Sequence, residues 1–314
     1  MLPRRTRIPP QARRHPLTNK ASQAAAGQFG ATGGASGQNS GGVEVGSRSG
    51  LTVRVIPVLL VDMGYIVQTK HFAITNRIHS IGKLSFIAKS LEAWGADEVV
   101  VLDITRPYDS HYRTAFVSAF TQVAEELNVP VTVGGRIFSM KLVHKYLRLG
   151  ADKVLVNSAA LFKPKLISDI TRYYGSQVLT VGIDFDLKTG NVWSSRLTFD
   201  TGRNYLSWAR EAVKLGAGEL MLNTRQTDGA GTGYALEAFR RVAEEVEVPV
   251  IFMGGVGSGE AGFQHLVDGA TAGASGVAAG NAPHYKEGWV LKAKEYMGKN
   301  GVNVRTLIEG VAHA

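Results

Sequence analysis

The chain contains no cysteine. Disulfides, thiolate metal sites and cysteine nucleophiles are therefore excluded. No stretch approaches the roughly 18 consecutive apolar residues that a membrane-spanning helix needs. The histidines are scattered, and neither a His-x-x-x-His pair nor a carboxylate cluster has metal-ligand spacing, so no metal or other cofactor is expected. Acidic residues are nearly missing from the first fifty positions. Glu44 alone stands there against Arg4, Arg5, Arg7, Arg13, Arg14, Lys20 and Arg48, so this segment carries +6 of the net charge of +9. The body keeps only +3 and has no basic run with interleaved aromatics, which argues against a nucleic-acid partner.

Residues 1–50 also lack apolar periodicity and turn rich in Gly, Ser, Ala and Gln after Ala31. Such a segment cannot bury enough surface to offset its ordering entropy, so a disordered tail is expected. An Arg- and Ser-containing, acid-poor leader is one form of organelle transit peptide. Pro9-Pro10 and the glycines oppose an amphipathic helix and favour a plain solvated extension, or a start placed too far upstream. The expected location is the cytoplasm, or an organelle under the transit reading.

From residue 51 to 314 the pattern is regular, and abundant glycine (37 residues) suits many tight turns. Eight short β-branched runs, at 53–61, 98–103, 131–134, 153–157, 178–184, 219–223, 250–254 and 274–278, alternate with segments of helical spacing. Short apolar runs between amphipathic helices indicate parallel strands buried on both faces. Eight such units in this length predict a (β/α)8 TIM barrel, with a doubly wound sheet as the alternative.

An internal repeat favours the barrel. Gly95-Ala96-Asp97-Glu98 pairs with Gly216-Ala217-Gly218-Glu219, and Val123-Ala124-Glu125-Glu126 with Val242-Ala243-Glu244-Glu245. Val129-Pro130-Val131 pairs with Val248-Pro249-Val250, and Gly134-Gly135 with Gly254-Gly255. Further matches at nearly the same spacing join Gly150-Ala151 to Gly269-Ala270 and Ala159-Ala160 to Ala278-Ala279. Matches in one order at a nearly constant spacing of 119–121 residues indicate a duplicated half-barrel.

A Gly-Gly at the carboxyl end of a strand lets backbone N–H groups approach an anion. The next turn adds donors, at Asn157-Ser158 in one half and Ala279-Gly280 in the other. The symmetry predicts two phosphate sites across one mouth and a substrate phosphorylated at both ends, although each Gly-Gly alone also suits a plain tight turn. Asp184 ends an apolar run and is the main general acid/base candidate. Asp103 is catalytic or a structural acceptor of loop N–H groups, and Asp228-Gly229 orients substrate or forms an Asx turn. Leu60 occupies the position related to Asp184 by the repeat, so an opposed carboxylate is missing; Asp62 is expected to point outward or into the loop. Arg54, Glu98, Lys153 and Glu219 alternate in sign at strand starts. They predict either a salt-bridged ring across the barrel floor, able to gate a small molecule, or splayed strand-end charges.

Val53 to Arg305 resembles the cyclase subunit family of imidazole glycerol phosphate synthase, from histidine biosynthesis. The resemblance rests on Arg54-Val55-Ile56-Pro57, Thr132-Val133-Gly134-Gly135, Asn157-Ser158-Ala159-Ala160, Gly182-Ile183-Asp184, Gly254-Gly255-Val256-Gly257 and Gly301-Val302-Asn303-Val304-Arg305. It implies a duplicated barrel and a glutaminase partner on the amino-terminal face. It also implies ammonia passing an Arg54/Glu98/Lys153/Glu219 gate, and a bisphosphorylated ribulosyl aminoimidazole nucleotide at the mouth. By resemblance, Gly134, Gly135, Asn157, Ser158, Asp228, Gly229, Gly254, Gly255, Ala278 and Ala279 hold that substrate and Asp184 is catalytic. The family pattern is broken at Leu60 (an aspartate), Gln68 (a lysine), Gln226 (an acid), Arg136 (a glycine) and Met253 (a serine). Leu59-Leu60 is similar to a divergent branch linked to amidination of bacterial surface sugars. Three functions remain in view: the histidine cyclase with altered catalysis, an ammonia-delivering relative that acts on a nucleotide sugar, and a non-catalytic glutaminase-binding scaffold.

Overall fold

The computed structural model describes residues 51–77, 83–105, 110–194 and 199–306, with the backbone alone at 110–113. The reading of residues 1–50 as a tail lies outside the described residues.

The chain opens with β1 (Arg54–Asp62), β2 (Tyr65–Lys70), β3 (Ala73–Arg77), α1 (Leu84–Ala93), β4 (Val99–Asp103) and α2 (Ser110–Glu126). It continues with β5 (Val131–Gly134), α3 (Met140–Arg148), β6 (Lys153–Val156), α4 (Ser158–Phe162) and α5 (Lys165–Tyr174). The second half holds β7 (Leu179–Phe185), β8 (Asn191–Trp193), β9 (Asp200–Asn204), α6 (Tyr205–Lys214), β10 (Glu219–Thr224) and α7 (Leu236–Glu245). It ends with β11 (Val250–Met253), α8 (Gly259–Thr271), β12 (Gly276–Ala279) and α9 (Trp289–Lys299).

The parallel strands run β1-β4-β5-β6-β7-β10-β11-β12 and close through β12 onto β1. This is the predicted (β/α)8 barrel. The strand-end positions are set by register: Leu60 lies beside Leu102 and Asp184 beside Asn223. The period of two along each strand sorts side chains into two cores. Ile56, Val58, Val100, Leu155, Met221 and Ile251 pack together inside the barrel. Their neighbours Val55, Val99, Val101, Val154, Leu220 and Leu222 join the larger core under the helices. The helices present apolar stripes to that layer, as α7 does with Phe239 and Val242. Helix α6 starts sharply because the Asn204 carboxamide accepts from the N–H groups of Leu206 (3.0 Å) and Ser207 (3.3 Å).

Two additions lie outside the eight repeats. β2 and β3 form an antiparallel hairpin continuing from β1, and β8 and β9 form a second one after β7.

Candidate functional site: a charged floor and an acid-bearing mouth

The four charges at the amino-terminal end come together. Arg54 Nη1 donates to Glu98 Oε2 at 2.7 Å and Nη2 pairs with Glu219. Lys153 Nζ lies 3.0 Å from both Glu98 Oε2 and Glu219 Oε2. Thr132 Oγ1 donates to Glu98 at 2.6 Å and Thr180 Oγ1 to Glu219 at 3.1 Å, which fixes both carboxylates from inside the barrel. Burial opposes charge on Arg54, yet the two glutamates hold its pKa above the usual value. Burial likewise opposes ionisation of Glu219, and Arg54 with Lys153 keeps its pKa below the usual range. The result is a closed ring of alternating sign across the floor, not a set of splayed charges.

At the other end, the strand termini surround a cavity of about 840 Å3. Asp184 lines it, and Asn157 Nδ2 donates to Asp184 Oδ2 at 2.7 Å. Burial pushes the Asp184 carboxyl up to about 7; the Asn157 hydrogen bond opposes that rise and the charge of Asp228 reinforces it. A carboxyl that exchanges its proton near neutrality suits general acid/base work. Leu60, Leu102, Leu155, Met221 and Met253 supply an apolar wall.

Asp103 also borders the cavity, accepts from Thr105 N at 3.1 Å and lies 3.8 Å from Arg136 Nη1. Arg136 has a left-handed backbone (φ 56), a conformation that favours glycine. A Cβ at Gly135 would fall 2.1 Å from the Asp103 carbonyl oxygen, so the turn after β5 packs directly on the end of β4. Asn157 and Ser158 follow β6 at the same rim.

Asp62 departs from expectation. It is buried and lines the cavity instead of turning outward or into the loop. The physical reason is the strand period: β1 continues through Asp62, so this residue shares the face of Leu60.

In the second half the corresponding residues pack against the β2–β3 hairpin. His71 N donates to Asp228 O and Phe72 N to Asp228 Oδ2, both at 2.8 Å. Burial raises the Asp228 pKa against the hydrogen bonds from Phe72, Thr69 and Asn223. A Cβ at Gly229, whose φ is 61, would fall 1.9 Å from Thr69 O. Gly254, Gly255, Ala279 and Gly280 border a small space beside Thr69 and Asn281. Ala278 belongs to the inner core, and its carbonyl accepts from Tyr234 Oη at 3.1 Å. Gln68 is buried within the hairpin, and Gln226 Nε2 donates to Asp186 Oδ2 at 2.8 Å.

Sequence reasoning did not find the hairpin, the hydrogen bonds between the Asn281 carboxamide and the Thr69 backbone, or the inward Asp62. Only Asp62 carried a usable signal, its two-residue spacing from Leu60. Among the described residues no group of three His, Asp or Glu side chains could hold a metal ion, and no helix is long and apolar enough to cross a membrane.

A family model described as "Histidine biosynthesis protein" matches residues 54–288. The imidazole glycerol phosphate synthase subunit HisF of Exiguobacterium sibiricum is 39% identical over 258 residues, covering 81% of this chain and all of that protein. The protein of the same name from Geobacillus thermodenitrificans is 38% identical over 261 residues, with the same coverage. With the match spanning the barrel from its floor to its mouth, the chain belongs to the histidine biosynthesis protein family as a HisF-like cyclase subunit.

Proposed function

We propose that this barrel is the ammonia-using subunit of a glutamine-dependent synthase, with a mouth chemistry altered from that of the histidine cyclase. The carrying observation is the joining of a closed Arg54–Glu98–Lys153–Glu219 ring to an acid-bearing cavity at opposite ends of one apolar barrel. A glutaminase subunit on the amino-terminal face would release ammonia beneath the ring. Opening one ion pair would admit a neutral molecule of that size. The inner aliphatic layer (Ile56, Val58, Val100, Leu155, Met221, Ile251) disfavours ammonium, because an unpaired ion there would be desolvated. At the mouth ammonia adds to an electrophilic carbon of the bound substrate. Asp184 takes up and returns the proton, its pKa near neutrality letting it act in both directions.

Leu60 lies on the cavity wall where the family has its second aspartate, and Gln68 is buried in the hairpin where the family has a lysine. Loss of one acid or base typically costs about 10²–10⁴ in rate. This favours a second reading for the acceptor: the barrel delivers ammonia to a different substrate, a sugar derivative in surface polysaccharide synthesis. The intact ring and the perturbed Asp184 speak against a purely structural glutaminase scaffold. Complementation tests the choice. The unmodified chain is expected not to rescue a histidine auxotroph lacking the cyclase, and Leu60→Asp with Gln68→Lys is expected to restore partial growth. Full rescue by the unmodified chain would refute the altered chemistry.

A further inference from the structure

The two halves of the mouth, alike in sequence, differ in space. The first-half turns, at Gly135-Arg136 after β5 and Asn157-Ser158 after β6, open onto the 840 Å3 cavity. Arg136 and Lys163, both in this half, are the lysine and arginine residues among the described lining. The second-half turns, at Gly254-Gly255 after β11 and Ala279-Gly280 after β12, border a narrow recess of about 20 Å3 that meets the larger cavity at Leu60, Thr69, Asp228 and Met253. That is room for about one water molecule, and a phosphoryl group is several times larger. No described lysine or arginine borders this space.

The β2–β3 hairpin fills the difference. The Asn281 carboxamide mimics a strand partner for Thr69: Nδ2 donates to Thr69 O at 2.7 Å, and Thr69 N donates to Oδ1 at 3.3 Å. Asp228 holds the hairpin tip through His71 N and Phe72 N. Gly229 supplies the clearance for Thr69 O. These hydrogen bonds hold the hairpin strand over the second-half turns, where the repeat would place a phosphate. The Asp228 carboxyl, accepting from Phe72 N, Thr69 and Asn223, presents acceptors and no cationic donor to an anion.

We infer that the β2–β3 hairpin stands in place of the second phosphate, so that the mouth takes a small molecule carrying one phosphoryl group, held on the Arg136 side, rather than a bisphosphate. This deepens the reading of the mouth as a substrate site and rests on it. The body of the ligand lies along the apolar wall of Leu60, Leu102 and Met253, with the Phe162–Phe199 ring pair (5.9 Å between centroids) at the rim.

The test uses the full chain alone, without ammonia or glutaminase, so its outcome is independent of the ammonia reading. Inorganic phosphate is titrated by equilibrium dialysis and by amide NMR, followed by ribulose 5-phosphate and ribulose 1,5-bisphosphate. The expected result is one phosphate per chain, with amide shifts at Gly135 and Ser158 and none at Gly254, Gly255 or Ala279. The two sugar phosphates are expected to bind within about threefold of each other, and Arg136→Ala to weaken both by about tenfold or more. Should that variant misfold, the amide map of the unmodified chain decides. Two phosphates per chain, no phosphate binding, shifts at both glycine pairs, or a bisphosphate bound about tenfold more tightly than the monophosphate would each overturn the inference.

Discussion

Asp184→Asn is expected to stabilise the barrel, and to do so increasingly as pH rises. Asparagine keeps the size of the side chain and an oxygen for the Asn157 Nδ2 donor, now 2.7 Å from Asp184 Oδ2. What it removes is the penalty for ionising a shielded carboxyl. In the unfolded chain that group titrates at its ordinary value of 3.8; in the folded barrel it titrates at about 7. Between those values the unfolded state is ionised and the native state still holds its proton, so native stability falls as pH rises and levels off above about 7. At about 1.4 kcal/mol per unit, the window is worth on the order of 4 kcal/mol. Because the carboxyl borders a cavity that water can enter, ~2–4 kcal/mol is the working range. Guanidinium titrations of both proteins at pH 4, 6 and 8 should show a gap below ~1 kcal/mol at the first, growing to the full value at the last. The same variant is expected to lose turnover. A stability gap that does not change with pH would mean that Asp184 ionises normally and would remove it as a neutral-pH acid/base group.

Arg54→Met leaves Glu98 and Glu219 sharing Lys153 alone, and is expected to lower stability by ~2–4 kcal/mol in urea titrations; in the assembled complex it should depress glutamine-driven turnover more than turnover driven by added ammonium. Equal loss on both nitrogen sources would argue against a gating role for the ring. Gly229→Ala places a Cβ 1.9 Å from Thr69 O, with the backbone at φ 61. It is expected to lift the β2–β3 hairpin, seen as faster proteolysis within residues 65–77, and to cost ~1–3 kcal/mol; unchanged protection would show that the hairpin accommodates the methyl group. Asn281→Ala is expected to expose the hairpin similarly, by removing both hydrogen bonds to the Thr69 peptide.

The barrel was legible because its signals are redundant. Each of the eight runs carries its own apolar pattern, and the repeat supplies a second, independent measure of their spacing. The ring was legible for a related reason: Arg54, Lys153 and Glu219 are the first residues of their strands and Glu98 immediately precedes β4, so register alone brings them to one level. The hairpin had no such signal. Its turns run through Met63-Gly64 and His71-Phe72, with Met63, His71 and Phe72 in the left-handed region. Sequence reasoning expects Asn-Gly or Asp-Gly at such turns. The occlusion of the second glycine pair was less legible still, since it depends on Asn281 reaching a strand more than two hundred residues earlier in the chain. Asp62 was legible but misjudged: β1 does not stop at Val61, and one more residue of strand turns it into the cavity.

The two ends of the barrel place different physical demands on the sequence. Glu98 and Glu219 are desolvated at the floor and Arg54 and Lys153 partly so, and apolar side chains of similar volume would serve packing at least as well. Thr132 and Thr180, each spending its hydroxyl on a ring carboxylate, add two more polar groups to a layer that could have been aliphatic. An arrangement so unfavourable to plain packing fits a floor that must open to a small polar molecule. The mouth shows the reverse tendency: Leu60 presents an aliphatic side chain to the cavity, and the β2–β3 hairpin lies against Gly254-Gly255. A barrel that retains its polar entrance while one side of its exit is apolar and covered is suited to handling the same nucleophile with a different acceptor. On that reasoning, restoring Leu60→Asp and Gln68→Lys should repair only part of the histidine reaction, because the hairpin would still occupy the second phosphate position. Combining them with Asn281→Ala should improve growth of the auxotroph beyond the double variant. If the triple variant grows no better, the hairpin is not what excludes the family's substrate.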